Sequence, residues 1–132
     1  MAGAIFPWRE GNHFELLVDG PQFFPRMLVA IARAEEQVEL ELYLVEAGAC
    51  AEAMVQALVQ AADRGVRVRC LFDDYGSLAF TLALRQRLTA AGVELRFYNR
   101  LSWRRWVGNF YRDHRKLLLV DQTMAVVGGT GV

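Results

Sequence analysis

The chain is poor in several residue types at once: one lysine among its 15 basic residues, two histidines, two cysteines and no net charge. Charge balance, with a sequence pI near 6.7, removes any global field that would draw the whole molecule to nucleic acid or to a membrane, so electrostatic arguments must be local. Cys50 falls in a helical stretch and Cys70 in an apolar strand-like run, without the paired spacing that staples small secreted domains. Two buried thiols in a reducing compartment are therefore expected. No run of 18 apolar residues occurs, and the N-terminus MAGAIFPWREGN lacks the basic start and long apolar stretch of a signal peptide. The segment is expected to be soluble or peripheral rather than membrane-spanning. Internal repeats and low-complexity tracts are also missing.

What is abundant is apolar surface. Hydrophobic residues make up 54% of 132 residues, enough for one packed domain with a real core and too short a chain for two ordinary ones. Periodicity predicts a short strand at Phe14 to Val18, broken by Asp19-Gly20-Pro21, and a helix from Gln22 to Glu36 with Phe23, Met27, Leu28 and Ile31 on one face. Val38 to Val45 alternates apolar residues against Glu39, Glu41 and Tyr43, a strand with a polar second face. A helix over Ala49 to Arg64 closes at Gly65, a strand follows at Val66 to Phe72, then a turn at Asp73 to Ser77. A helix over Leu78 to Ala91, a strand over Val93 to Tyr98, and a hairpin of about His114 to Val120 with Met124 to Val127 complete the pattern. This order predicts an α/β domain with a mixed, largely parallel sheet flanked by helices.

The chemistry concentrates at His114, Lys116, Asp121, Gly128 and Gly129. Two positions apart in a strand, His114 and Lys116 are expected to leave one face about 7 Å apart along the chain. A neutral imidazole can attack phosphorus while an ammonium neutralises the non-bridging oxygens, so no metal or cofactor is required. Lys116 is the sole lysine, a compact point charge in a chain otherwise served by arginine. Asp121 has the opposite strand parity, so it joins such a site only if the Asp121-Gln122-Thr123 turn bends it back to steady an imidazole. Gly128-Gly129 lets backbone approach a phosphate unobstructed.

At these residues the sequence resembles the phospholipase D superfamily, whose signature is His-x-Lys, four residues, Asp, six residues, then Gly-Gly or Gly-Ser. Among its members it is most similar to the bacterial cardiolipin synthases. That similarity rests on Glu15-Leu16-Leu17 with Gly20, Phe23-Phe24-Pro25, Glu41, Asp73-Asp74-Tyr75-Gly76-Ser77, Ala91-Gly92-Val93, and Arg112 with His114-Arg115-Lys116, and it runs over roughly residues 12 to 131. The resemblance implies a phosphatidyltransferase working through a phosphohistidine, with a second copy of the motif supplying the acid and base. It implies catalytic roles for His114, Lys116 and Asp121, and substrate contacts for Gly128, Gly129, Thr130, Glu41 and Arg112. Family members usually carry Asn at the position of Gly131, so a polar ligand there is missing or replaced by Thr130.

Only one copy of the motif is present, and His13, with no lysine two residues on, reads as a surface residue. Residues 1–132 are therefore expected to form a single lobe, the first half of a two-lobed enzyme, with pairing of two copies as the other arrangement. From Arg96 to Lys116, seven basic residues face one acid, interleaved with aromatics. Trp103, Arg104, Arg105 and Trp106 are the candidates to face an anionic phospholipid surface, which places the protein peripherally on the cytoplasmic face of the bacterial inner membrane. The same composition suits single-stranded nucleic acid, so a homodimeric phosphodiesterase stays open, as does a non-catalytic lipid-binding lobe. Asp73-Asp74 reads as a turn rather than a metal site.

Overall fold

The computed structural model describes residues 7–102, 104 and 112–129. Helix α1 spans Gly20–Arg33, with Pro21 in the first turn, where a missing N–H costs no helical bond. Strand β1 (Gln37–Leu42), helix α2 (Ala49–Asp63), strand β2 (Arg67–Asp73), helix α3 (Leu82–Ala90) and strand β3 (Glu94–Tyr98) follow, then the hairpin of β4 (Lys116–Val120) and β5 (Met124–Val127). The sheet order is β3-β2-β1-β4-β5, with β1, β2 and β3 parallel and β4 and β5 antiparallel to their neighbours. Mixed architecture is thus as expected, although only two of the four strand pairings are parallel.

The period-two pattern decides which face is buried. Val38, Leu40 and Leu42 of β1, Val68, Cys70 and Phe72 of β2, and Leu118 and Val120 of β4 pack with Ile31, Leu58, Leu84 and Leu88 from the three helices. The opposite face carries Glu39 ion-paired to Arg69 across β1 and β2, and Glu94 paired to Arg96. Burial in this core pushes the Cys70 thiol up to about 12. Cys50, by contrast, is exposed at the start of α2, so the expectation of two buried thiols holds for only one.

Two expected elements differ. Residues 12–18 form no strand: Phe14 and Leu16 are exposed and the segment pairs with no sheet edge, so its alternation reflects no ladder. Helix α3 starts at Leu82 rather than Leu78, because residues 74–79 are held in turns. The Ser77 hydroxyl and N–H both donate to the Asp73 carbonyl, at 2.6 and 3.0 Å, and the Thr81 hydroxyl then caps the helix.

Candidate active site

The parallel strand β1 ends where β4 begins, with Leu42 opposite Lys116. This meeting of strand ends assembles the site. Lys116 opens β4, and His114 precedes the strand rather than lying in it, so the expected same-face ladder is not what joins them. A shared aromatic neighbour joins them instead. The exposed His114 imidazole stacks on Tyr43, centroids 4.1 Å apart and planes 13° from parallel, and the Lys116 ammonium lies 5.5 Å from the same ring centroid. Lys116 Nζ also donates to the His114 carbonyl at 2.8 Å, which keeps amine and imidazole in one neighbourhood.

Gly128 donates its N–H to the Lys116 carbonyl at 3.2 Å, so the glycine pair lies against the lysine. A Cβ at Gly128 or Gly129 would meet nothing within 4 Å, leaving the backbone open to a ligand. Both glycines and Lys116 line a cleft of about 580 Å³ whose body is apolar, formed by Phe23, Met27, Leu42 and Val126 among others. His13, expected at the surface, is exposed and sits on the rim of this cleft. An accessible imidazole, a cation without an acidic partner among the described ion pairs, and open backbone are groups that phosphoryl transfer can use.

Carboxylates surround the segment that delivers His114. Glu41 faces Arg115 at 3.3 Å, and its carboxyl is raised above the usual range, first by burial and then by hydrogen bonding and repulsion from Asp113. Asp73 is 1% exposed, and it receives the backbone N–H groups of Tyr75 and Gly76 on one oxygen and that of Asp113 on the other. Arg112 lies 3.5 Å from Asp73 and donates to the Asn99 carbonyl at 3.3 Å. Its guanidinium is thus engaged with Asp73 and with the Asn99 carbonyl. In the sequence Asp73 reads as part of a turn at the carboxyl end of a buried strand and belongs to the Asp73-Asp74-Tyr75-Gly76-Ser77 segment of the resemblance, but neither signal indicates that it holds Asp113.

Asp121 also departs from expectation. It lies past Val120, which pairs with Val38, at the opposite end of β4 from Lys116. Its carboxylate receives the N–H groups of Gln37, Glu36 and Glu35 at 2.9, 2.8 and 3.0 Å, closing the turn between α1 and β1. Asp121 and Gln122 both adopt positive φ, 50° and 57°, so the hairpin turns tightly and does not carry the carboxylate back to His114. The three bonds, that of Gln37 foremost, hold the Asp121 carboxyl below its ordinary 3.8. A depressed folded value stabilises the fold above the ordinary range, and that contribution disappears as pH falls through the folded value. Asp121→Asn is therefore expected to lower the melting midpoint at neutral pH, with the gap from the wild type narrowing as pH falls below the ordinary 3.8. Melting curves across that range check this, and a pH-independent gap contradicts it.

Of the proposed membrane-facing residues, Arg104 is exposed, while Trp103, Arg105 and Trp106 lie outside the described residues, as does Thr130. No described helix is long and apolar enough to cross a membrane.

Comparison with known proteins places the chain among relatives of one family. Cardiolipin synthase B of Salmonella typhi is 40% identical over 92% of this chain, and cardiolipin synthase B of Escherichia coli K12 is 38% identical over the same share. The chain spans about 30% of the length of each of these relatives. The crystal structure of Nuc from Salmonella typhimurium, a phospholipase D family member, superposes with a TM-score of 0.66 at 25% identity, covering 83% of this chain and 64% of that one. Residues 27–132, which include every motif position from His114 to Gly129, match the family described as cardiolipin synthase, PLD-like domain, and the chain belongs to that family.

Proposed function

We propose that this chain is one lobe, the first half, of a phosphatidyltransferase of the cardiolipin synthase type, with His114 as its nucleophile. The observation that carries the reading is the convergence of an exposed imidazole and the chain's single lysine on the Tyr43 ring, beside the open glycine pair. An imidazole nitrogen of His114 attacks the phosphorus of an anionic phospholipid, and the bond from phosphorus to the headgroup oxygen breaks. A histidine of the second lobe protonates the leaving alcohol. That histidine then takes the proton from a hydroxyl of a second phospholipid, whose oxygen attacks phosphorus and releases His114. Lys116 holds the non-bridging oxygens, and the backbone at Gly128 and Gly129 admits the phosphate without steric obstruction.

The second lobe is the remainder of a longer protein, in keeping with the 30% of each cardiolipin synthase that this chain spans. Exposed Arg104 supports peripheral contact with anionic headgroups at the cytoplasmic face of the bacterial inner membrane. Rapid quenching of the two-lobed protein with phosphatidylglycerol is expected to trap a phosphatidyl adduct. Peptide mass spectrometry should place it on His114. An adduct only on another residue, or turnover of nucleic acid in place of lipid, would overturn the proposal.

A further inference from the structure

Asp73 reaches over the end of a strand to which it does not belong. It terminates β2, yet β2 and β4 are separated by β1. One carboxylate oxygen receives the Tyr75 and Gly76 N–H groups, each at 3.0 Å, and the other receives the Asp113 N–H at 3.1 Å. The first pair fixes the turn that bears on Tyr43: a Cβ at Gly76 would stand 1.9 Å from the Tyr43 carbonyl oxygen, and Val45 donates to the Gly76 carbonyl at 3.2 Å. The second bond fixes the residue immediately before His114. The two rings that stack at 4.1 Å are thus each placed through opposite oxygens of one side chain that is 1% exposed.

We propose that Asp73 is a positioning residue, whose carboxylate locks the His114 imidazole in register with Tyr43 so that the ring meets phosphorus in a fixed orientation. This rests on the reading of His114 as the nucleophile. A buried carboxylate is costly unless its oxygens are satisfied, and here backbone donors from two separate segments satisfy it, so the segments move together or not at all. Tyr43 covers one face of the imidazole and leaves its edge, which carries the nitrogens, directed away from the stack. Arg112, 3.5 Å from the same carboxylate, balances its charge.

Asp73→Asn preserves size but leaves one acceptor oxygen, which cannot serve both segments. In nuclear magnetic resonance spectra of this chain, the His114 ring protons are expected to show the upfield displacement caused by Tyr43, and Tyr43→Leu to abolish it. Asp73→Asn should move those resonances toward the Tyr43→Leu positions. In the two-lobed enzyme it should lower kcat by roughly 10-fold to 100-fold while KM changes less than about twofold, as for a displaced but intact nucleophile. Folded Asp73→Asn protein with wild-type His114 resonances would overturn the proposal, because Asp73 would then merely hold its own turn. Should Asp73→Asn fail to fold, Tyr43→Leu carries the test, and an unchanged kcat there would sink the idea. Full activity of His114→Ala would refute the nucleophile assignment alone, since the resonances report ring placement independently of turnover.

Discussion

His114→Asn is expected to lower phosphatidyl transfer by about 10⁴-fold or more in the proposed two-lobed enzyme, because on the proposed mechanism it removes the atom that bonds to phosphorus rather than a group that assists it. Lys116→Met should cost less, on the order of 10²-fold to 10³-fold, the range for losing one donor to developing oxyanion charge. Both variants should fold like the wild type, since His114 is exposed and the Lys116 amine donates to a local carbonyl and lies over the Tyr43 ring rather than in the core. Initial rates with phosphatidylglycerol vesicles, alongside melting curves, measure the two effects separately. Transfer within tenfold of wild type for His114→Asn would exclude it as the nucleophile. A Lys116→Met loss confined to KM would show a binding role without transition-state charge stabilisation.

Gly76→Ala is expected to be the most damaging of the substitutions at the described glycines. The added methyl would stand 1.9 Å from the Tyr43 carbonyl oxygen and 2.8 Å from its carbon, both backbone atoms that cannot rotate away. Overpacking of this kind costs about 3 kcal/mol. In a domain of this size that lowers the melting midpoint by roughly 10 °C. The folded fraction should also lose activity, because Tyr43 is displaced from His114. Gly128→Ala provides the contrast: nothing lies within 4 Å of the new methyl, so stability should change little while the approach of a phosphate is hindered. Calorimetry of the two variants compares them directly, and equal midpoints would mean that the turn at Gly76 yields without cost.

Residue patterns alone were enough for most of the elements and for the motif. Alternating apolar residues place β1 and β2, the helical spacing of Phe23, Met27 and Ile31 places α1, and Gly65, with φ of 90°, ends α2 as its position suggests. These are local signals with a fixed period, which survive in one dimension. At Phe14 to Val18 the alternation is present without a strand, because a strand exists only where another supplies its hydrogen-bond ladder. Asp121 shows the same limit: its place in the motif is legible, but the turn of Glu35 to Gln37 that receives its carboxylate is about 85 residues away in sequence.

The amino-acid order by itself singled out the residues of the proposed chemistry, since imidazole, amine and glycine pair fall within one contiguous stretch whose spacing is set by covalent geometry. Only the folded chain decided how they are held. Tyr43, Asp73 and His114 come from three separate strand ends, and the stack and the shared carboxylate depend on the order β2-β1-β4 in the sheet. Long-range contacts of that sort follow from which strands become neighbours, and no periodicity within a single segment encodes them.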